Sequence, residues 1–161
     1  MEIRNEDFIM FMDRAIDGMM AIAKELGDER VNQSPDLPGA NSPYAILTHC
    51  VGVVDYWVGT LIAGRNIHRD RDAEFKARGP VSELSEAVAA LKERLRGDLL
   101  NIGSADSLAS PPYGGYNPLG DDGHEWNTGA VVVHTYEELA QHQGQMELTR
   151  DILLHASDSP A

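Results

Sequence analysis

Apolar residues return at steps of three and four along four long stretches of this chain, and no stretch alternates apolar and polar residues as a half-buried strand would. The first stretch carries Phe8, Met12, Ala15, Met19, Ile22 and Leu26 and stops at Gly27, a residue suited to a helix C-cap. The second opens with Ser42 and Pro43, an N-cap followed by proline at the first helical position, and runs through Ile46, Leu47, Val54, Trp57 and Leu61 to about Gly64. The third follows Pro80. From Ser82 it lines up Leu84, Val88, Leu91, Leu95 and Leu99, with Glu86, Lys92, Glu93 and Arg96 on a face read as solvated. The fourth, capped by Asn127 or Thr128, carries Val131, Val132, Leu139, Met146, Ile152 and Leu153. Four such helices bury their apolar faces most simply as an up-and-down four-helix bundle, so the expected class is all-α.

The connections are unequal. "RNIHRDRDAEFKARGP", residues 65–80, mixes both charges densely and reads as a solvated loop. Between helices three and four lies a long loop, residues 103–126, too rich in Gly, Pro and Asp for a helix and of a length that commonly serves function. The 161 residues are expected to form one domain, residues 1–161, and 42% hydrophobic with 24% charged residues is an ordinary soluble balance. A net charge of −13 repels phosphate backbones and anionic membrane surfaces, which excludes nucleic acid as a partner. The single cysteine, Cys50, cannot close an internal disulfide, and the charged N-terminal stretch lacks the apolar run of a signal peptide; a cytoplasmic protein is expected. The most apolar segment, "AILTHCVGVVDYWVGTLIAG", carries His49 and Asp55 mid-way, so no membrane-spanning helix is expected.

Chemistry enters on the fourth stretch, "HTYEELAQHQGQMELTRDIL", where His134, Glu138 and His142 follow one another four apart. Positions four apart on an α-helix stand about 6 Å along the axis and about 40° around it, so neighbours in such a row can share one ion through bonds of roughly 2.0–2.2 Å. His134 and His142 are about 12 Å apart along the axis, so an ion would take Glu138 with one of them and need a third ligand from another helix. His49, set among Ile46, Leu47, Val53 and Val54 in the second helix, is placed to supply it. Three nitrogen and oxygen ligands with an open position form the donor set of a catalytic rather than a structural zinc. Taken singly, each group has an ordinary role: a core histidine satisfied by hydrogen bonds, or a surface i, i+4 pair worth about 0.2–0.5 kcal/mol. The third group converging on the pair is what points to a metal.

Helix two, "NSPYAILTHCVGVVDYWVGTLIAGR", helix four, and the intervening "RDRDAEF" together resemble the DinB-like four-helix-bundle superfamily, and within it the mycothiol-dependent maleylpyruvate isomerase branch. That resemblance implies a divalent metal, zinc or nickel, held by His49 of the second helix and by Glu138 and His142 of the last. Gly144 and Gln145 continue the branch's H-x-G-Q pattern. The isomerase carries a further C-terminal domain, whereas this sequence reaches "HASDSPA" directly after the fourth helix. What is implied is therefore a single-domain relative: an S-transferase or isomerase using a low-molecular-weight thiol such as mycothiol and a small electrophile, with homodimerization as family habit. The alternative is a non-catalytic binding or dimerization bundle with a vestigial metal site.

With Glu138 and His142 as the pair, His134 lies one turn beyond the ion and is expected, with Gln145, to line the pocket or to orient a ligand. His68, His124 and His155 are read as surface residues. Cys50 points about 100° away from His49 around the helix and reads as a small buried thiol. Tyr56 and Trp57 read as core or dimer-packing residues. The arginines of "RDRDAEF" could hold a carboxylate of a thiol cosubstrate if that loop folds back over the bundle mouth, and the long loop could cover the open metal position.

Overall fold

The computed structural model describes residues 3–100, 102–103, 105–112 and 126–156. Among them are five α-helices and no strand: α1 (Asn5–Arg30), α2 (Pro43–Val54), α3 (Arg71–Glu74), α4 (Val81–Leu99) and α5 (Thr128–Ala156). A π-helical segment, Asp55–Ile62, continues α2 without a break. The four long elements form an up-and-down bundle in which α1 and α2 each pack on both α4 and α5. Met12, Ile16 and Met19 of α1, Ile46 and Leu47 of α2, Leu91, Leu95 and Leu99 of α4, and Leu139 and Met146 of α5 meet in its fully buried centre.

Helix starts fall where the side chains satisfy the orphan backbone donors. Ser42 Oγ accepts from the Ala45 N–H at 3.2 Å with Pro43 in the first turn, and Asn127 Oδ1 accepts from the Ala130 N–H at 2.9 Å at the head of α5. Gly27 does not end α1 as expected. It adopts φ 66° and ψ 177°, kinks the helix, and lets a last turn continue to Arg30. That conformation is open essentially to glycine alone.

Three other expectations change. The charged segment 65–80 is not simply a solvated loop, because it contains α3 and buries Glu74. The polar face of α4 is partly engaged: Lys92 donates to Asp17 at 2.6 Å and Arg96 to Asp13, both on α1, while Glu86 and Glu93 stay exposed. Ile152 is exposed, although its stripe partners Leu139, Met146 and Leu153 are buried. The segment Pro43–Ile62 does have the length and apolarity to cross a membrane, but 72% of its most apolar window is buried inside the bundle, as in the core helix of a globular fold.

The π-helical segment is anchored by charge. Asp55 accepts two hydrogen bonds from Arg94 of α4, at 3.0 and 2.8 Å, and one from Arg65 at 3.0 Å; Arg65 also donates to Asp98 at 2.8 Å. Gly59 leaves the path of Arg65 open, since a Cβ there would lie 2.2 Å from its Nη2.

Two glycine substitutions separate backbone strain from packing, because a Cβ at Gly27 or Gly97 would meet nothing within 4 Å. Gly27→Ala should destabilise the fold by roughly 1–3 kcal/mol through its backbone conformation alone. Gly97→Ala, inside α4, should stabilise it by about 0.4–1 kcal/mol. Urea denaturation followed by circular dichroism measures both; equal midpoints for the two variants would contradict the strain at Gly27.

Candidate metal centre

Where α2 meets α5, His49, Glu138 and His142 each offer a ligand atom, and these atoms lie within 4.8 Å of one another. The helical register brings this about. Glu138 and His142 are neighbours on one stripe of α5, with Nε2 of His142 3.6 Å from Oε2 of Glu138. His49 enters from α2 with its ring edge-on to that of His142, at 82° and 5.0 Å between centroids. His49 is 3% exposed, while the other two are half-buried, so the cluster sits where the helix interface opens. It opens into a cavity of about 440 Å³ lined by His49, Val53, Tyr56, Trp57, Arg69, Arg71, His134 and Glu138.

Side chains outside the trio fix its members. His49 Nδ1 is 2.8 Å from Oε2 of Glu74, and its ring stacks on Phe75 at 4.4 Å. Arg69 grips the same carboxylate, donating from Nε to Oε1 at 2.7 Å and from Nη2 to Oε2 at 2.9 Å. Burial pushes the Glu74 carboxyl up, but the hydrogen bonds from His49 and Arg69 and the Arg69 charge outweigh it and leave the group below the usual carboxylate range. On α5, His142 Nδ1 donates to Oε1 of Gln145 at 2.8 Å. The hydrogen-bonding contact with His142 holds Glu138 below its ordinary value, against burial and with help from the charges of His134 and His49. The reciprocal contact with Glu138, then Gln145, raises His142 against the effect of burial.

His134 is buried beside this set rather than in it. Its Nε2 lies 3.8 Å from Oε1 of Glu138, its ring meets Trp57 edge-on at 4.6 Å, and its Nδ1 makes no hydrogen bond among the described residues. His134 lines the cavity, and exposed Gln145 meets His142 Nδ1. Tyr56 and Trp57 depart from expectation: both are buried, yet both form cavity wall, and Trp57 stacks on Trp126 at 5.4 Å. Segment 65–80 does fold back over the bundle mouth, but Arg69 is occupied by Glu74 of the same chain, while Arg71 rests over the Phe75 ring at 5.2 Å. His68 and His155 are exposed; His124 lies outside the described residues, as does the stretch 113–125 of the long loop expected to cover the site. Cys50 is buried with its Sγ 3.6 Å from Sδ of Met19, and burial, reinforced by the charges of Glu138 and Glu74, pushes its thiol far up.

Glu74 is the site residue that the sequence did not yield. The one local sign is Asp70, whose Oδ1 caps α3 by accepting from the Ala73 N–H at 3.0 Å. In a run of alternating charges that signal does not stand out.

A DinB-like bundle with a His, Glu, His cluster at the α2–α5 seam is the class these features define. The family model for mycothiol-S-transferase matches residues 7–154, and the chain belongs to that family. A conserved protein from Enterococcus faecalis, known from its crystal structure, shares the fold with a TM-score of 0.65 over 96% of this chain and 99% of its own, at 14% sequence identity. No curated protein matches the sequence.

The environment of Cys50 makes a plain prediction. In the native protein at about pH 8 its thiol should resist an aromatic disulfide reagent and react fully only after unfolding, because the thiolate is the reactive form. Rapid stoichiometric labelling of folded protein would contradict the buried position.

Proposed function

We propose that His49, Glu138 and His142 hold a divalent metal, zinc or nickel, and that the protein is a metal-dependent S-transferase joining a low-molecular-weight thiol of the mycothiol type to a small electrophile. The observation that carries this reading is the convergence of three donor atoms within 4.8 Å, from two helices, beside a cavity that His49 and Glu138 line. Two imidazoles and one carboxylate are a borderline donor set that suits zinc and nickel, and three protein ligands leave a coordination position for a substrate. A dication bound there would favour the thiolate form of an entering thiol at neutral pH.

The chain's own groups fit the remaining tasks. Cys50 is buried and its thiol pushed up, so it does not compete as the nucleophile, and the family's thiol partner would come from outside. A cavity of about 440 Å³ falls in the range of small-molecule sites. Its Val53, Tyr56 and Trp57 walls offer apolar surface to an electrophile, while His134 Nε2 lies 3.8 Å from Oε1 of Glu138.

Metal affinity, measured by competition with a chromogenic chelator, tests the assignment. His142→Ala should abolish binding and with it any thiol transfer. His134→Ala should cost about 10–100-fold at most, because it removes a neighbour of Glu138 and not a ligand. Loss of the ion in His134→Ala with retention in His142→Ala would shift the site by one helical turn and overturn the assignment.

Acidification gives a second check. In the metal-free protein His142 is raised by Glu138, so an incoming cation must displace its proton. The sign follows: affinity is highest above the raised value and declines as pH falls through it, by about tenfold per unit for one displaced proton. Zinc affinity that stays flat between about pH 8 and pH 5 would argue against histidine ligation.

A further inference from the structure

Beyond the ligands themselves, we infer that Glu74, braced by Arg69, is a positioning residue that accepts the Nδ1–H hydrogen bond of His49 and so commits Nε2 of that ring to the metal cluster. The functional half of this inference rests on the metal reading above. The geometric half does not.

A neutral imidazole carries one N–H and one bare nitrogen, and either can hold the proton. An ionised carboxylate only accepts. With Nδ1 of His49 2.8 Å from Oε2 of Glu74, two bare acceptors would repel, so the proton lies between them on Nδ1. Arg69 Nη2 is also 3.3 Å from Nδ1, but a guanidinium can only donate, and its shorter bond, 2.9 Å, goes to the same Oε2. Both N–H groups therefore converge on one oxygen. The second Arg69 bond, 2.7 Å to Oε1, closes a bidentate clamp that fixes the carboxylate in place.

Two further features show a slot shaped for this carboxylate. Gly52 lies one turn beyond His49 on α2, and a Cβ there would fall 2.0 Å from Oε1 and 2.6 Å from Cδ of Glu74. Phe75, the next residue, stacks on the His49 ring at 4.4 Å and hinders its rotation. Segment 69–75 thus holds the ring by its edge and by its face. The Arg69 charge cancels that of Glu74, so the pair orients His49 without adding net charge to the cluster.

The test begins with the metal-free wild-type protein at about pH 8.5, above the ordinary imidazole range, where long-range proton–nitrogen NMR correlations report which ring nitrogen of His49 is protonated. Nδ1–H is expected, and a ring protonated on Nε2 would overturn the inference without any variant being made. Glu74→Ala should lose the Nδ1 preference and weaken zinc binding by about 10–100-fold. Gly52→Ala should act in the same direction by displacing the carboxylate while leaving every charged group in the sequence. An unchanged tautomer together with zinc affinity within about threefold of wild type in Glu74→Ala would reject the positioning role. If the wild-type protein binds no zinc or nickel, the metal reading falls, while the NMR arm still decides whether Glu74 sets the tautomer.

Discussion

A histidine in the middle of an apolar helix must find hydrogen-bond partners or pay heavily for its burial, and the surroundings of His49 are organised by that requirement. Its neighbours along α2, Ile46, Leu47, Cys50 and Val53, give it nothing polar to bond. Glu74 meets one ring nitrogen from the side, which requires segment 65–80 to double back onto α2 and Gly52 to lack a side chain. A buried carboxylate then needs compensation in turn, and Arg69 supplies it. The same ring offers a ligand atom at the α5 seam, where Glu138 and His142 stand. One polar ring in a core helix thus determines the course of a connection and the chemistry of an interface.

The π-helical segment contributes through register. A widened helical turn shifts every later side chain around the axis relative to an α-helix, and such turns recur at functional sites. In Asp55–Ile62 the shift accompanies Tyr56 and Trp57 becoming cavity wall while Val58 and Leu61 remain in the core. The Asp55, Arg65, Arg94 and Asp98 network fastens the two ends of that segment to α4, with Arg65 passing over Gly59. These ion pairs are only partly exposed and share partners, which makes them a mutually supporting set rather than isolated surface bridges.

What could be read from sequence follows the range of the forces involved. The helices were legible because apolar periodicity and the Ser42 and Asn127 caps act over a few residues. The Glu138 and His142 pair was legible for the same reason, since i, i+4 spacing is a local property of one helix. His49 as their partner was read first from its place mid-way along the second helix and then from resemblance to a family; its ring stands edge-on to that of His142 at 5.0 Å between centroids. Glu74 was not legible. Its meaning depends on a contact across 25 residues to His49, and among the charges of "RDRDAEF" nothing marks it as the one that turns inward. Gly27 misled for a related reason: sequence signals that glycine is permissive, but packing decides whether the chain stops there or merely kinks.

The placement of the thiol chemistry follows from the same economy. Cys50 adjoins His49 in sequence, yet a step of about 100° around α2 turns it into the core against Met19, where burial and two nearby carboxylates oppose its ionisation. The helix thus offers imidazole to the seam and hides its thiol from it. In the S-transferase reading that separation has a purpose. A reactive protein thiolate beside the cluster would occupy the coordination position or be consumed by the electrophile, whereas a soluble thiol is renewed at each turnover. On that reading the seam would supply nitrogen and oxygen donors, the core holds the one sulfhydryl, and the sulfur of a thiol substrate would enter through the cavity bounded by Tyr56, Trp57 and Arg71.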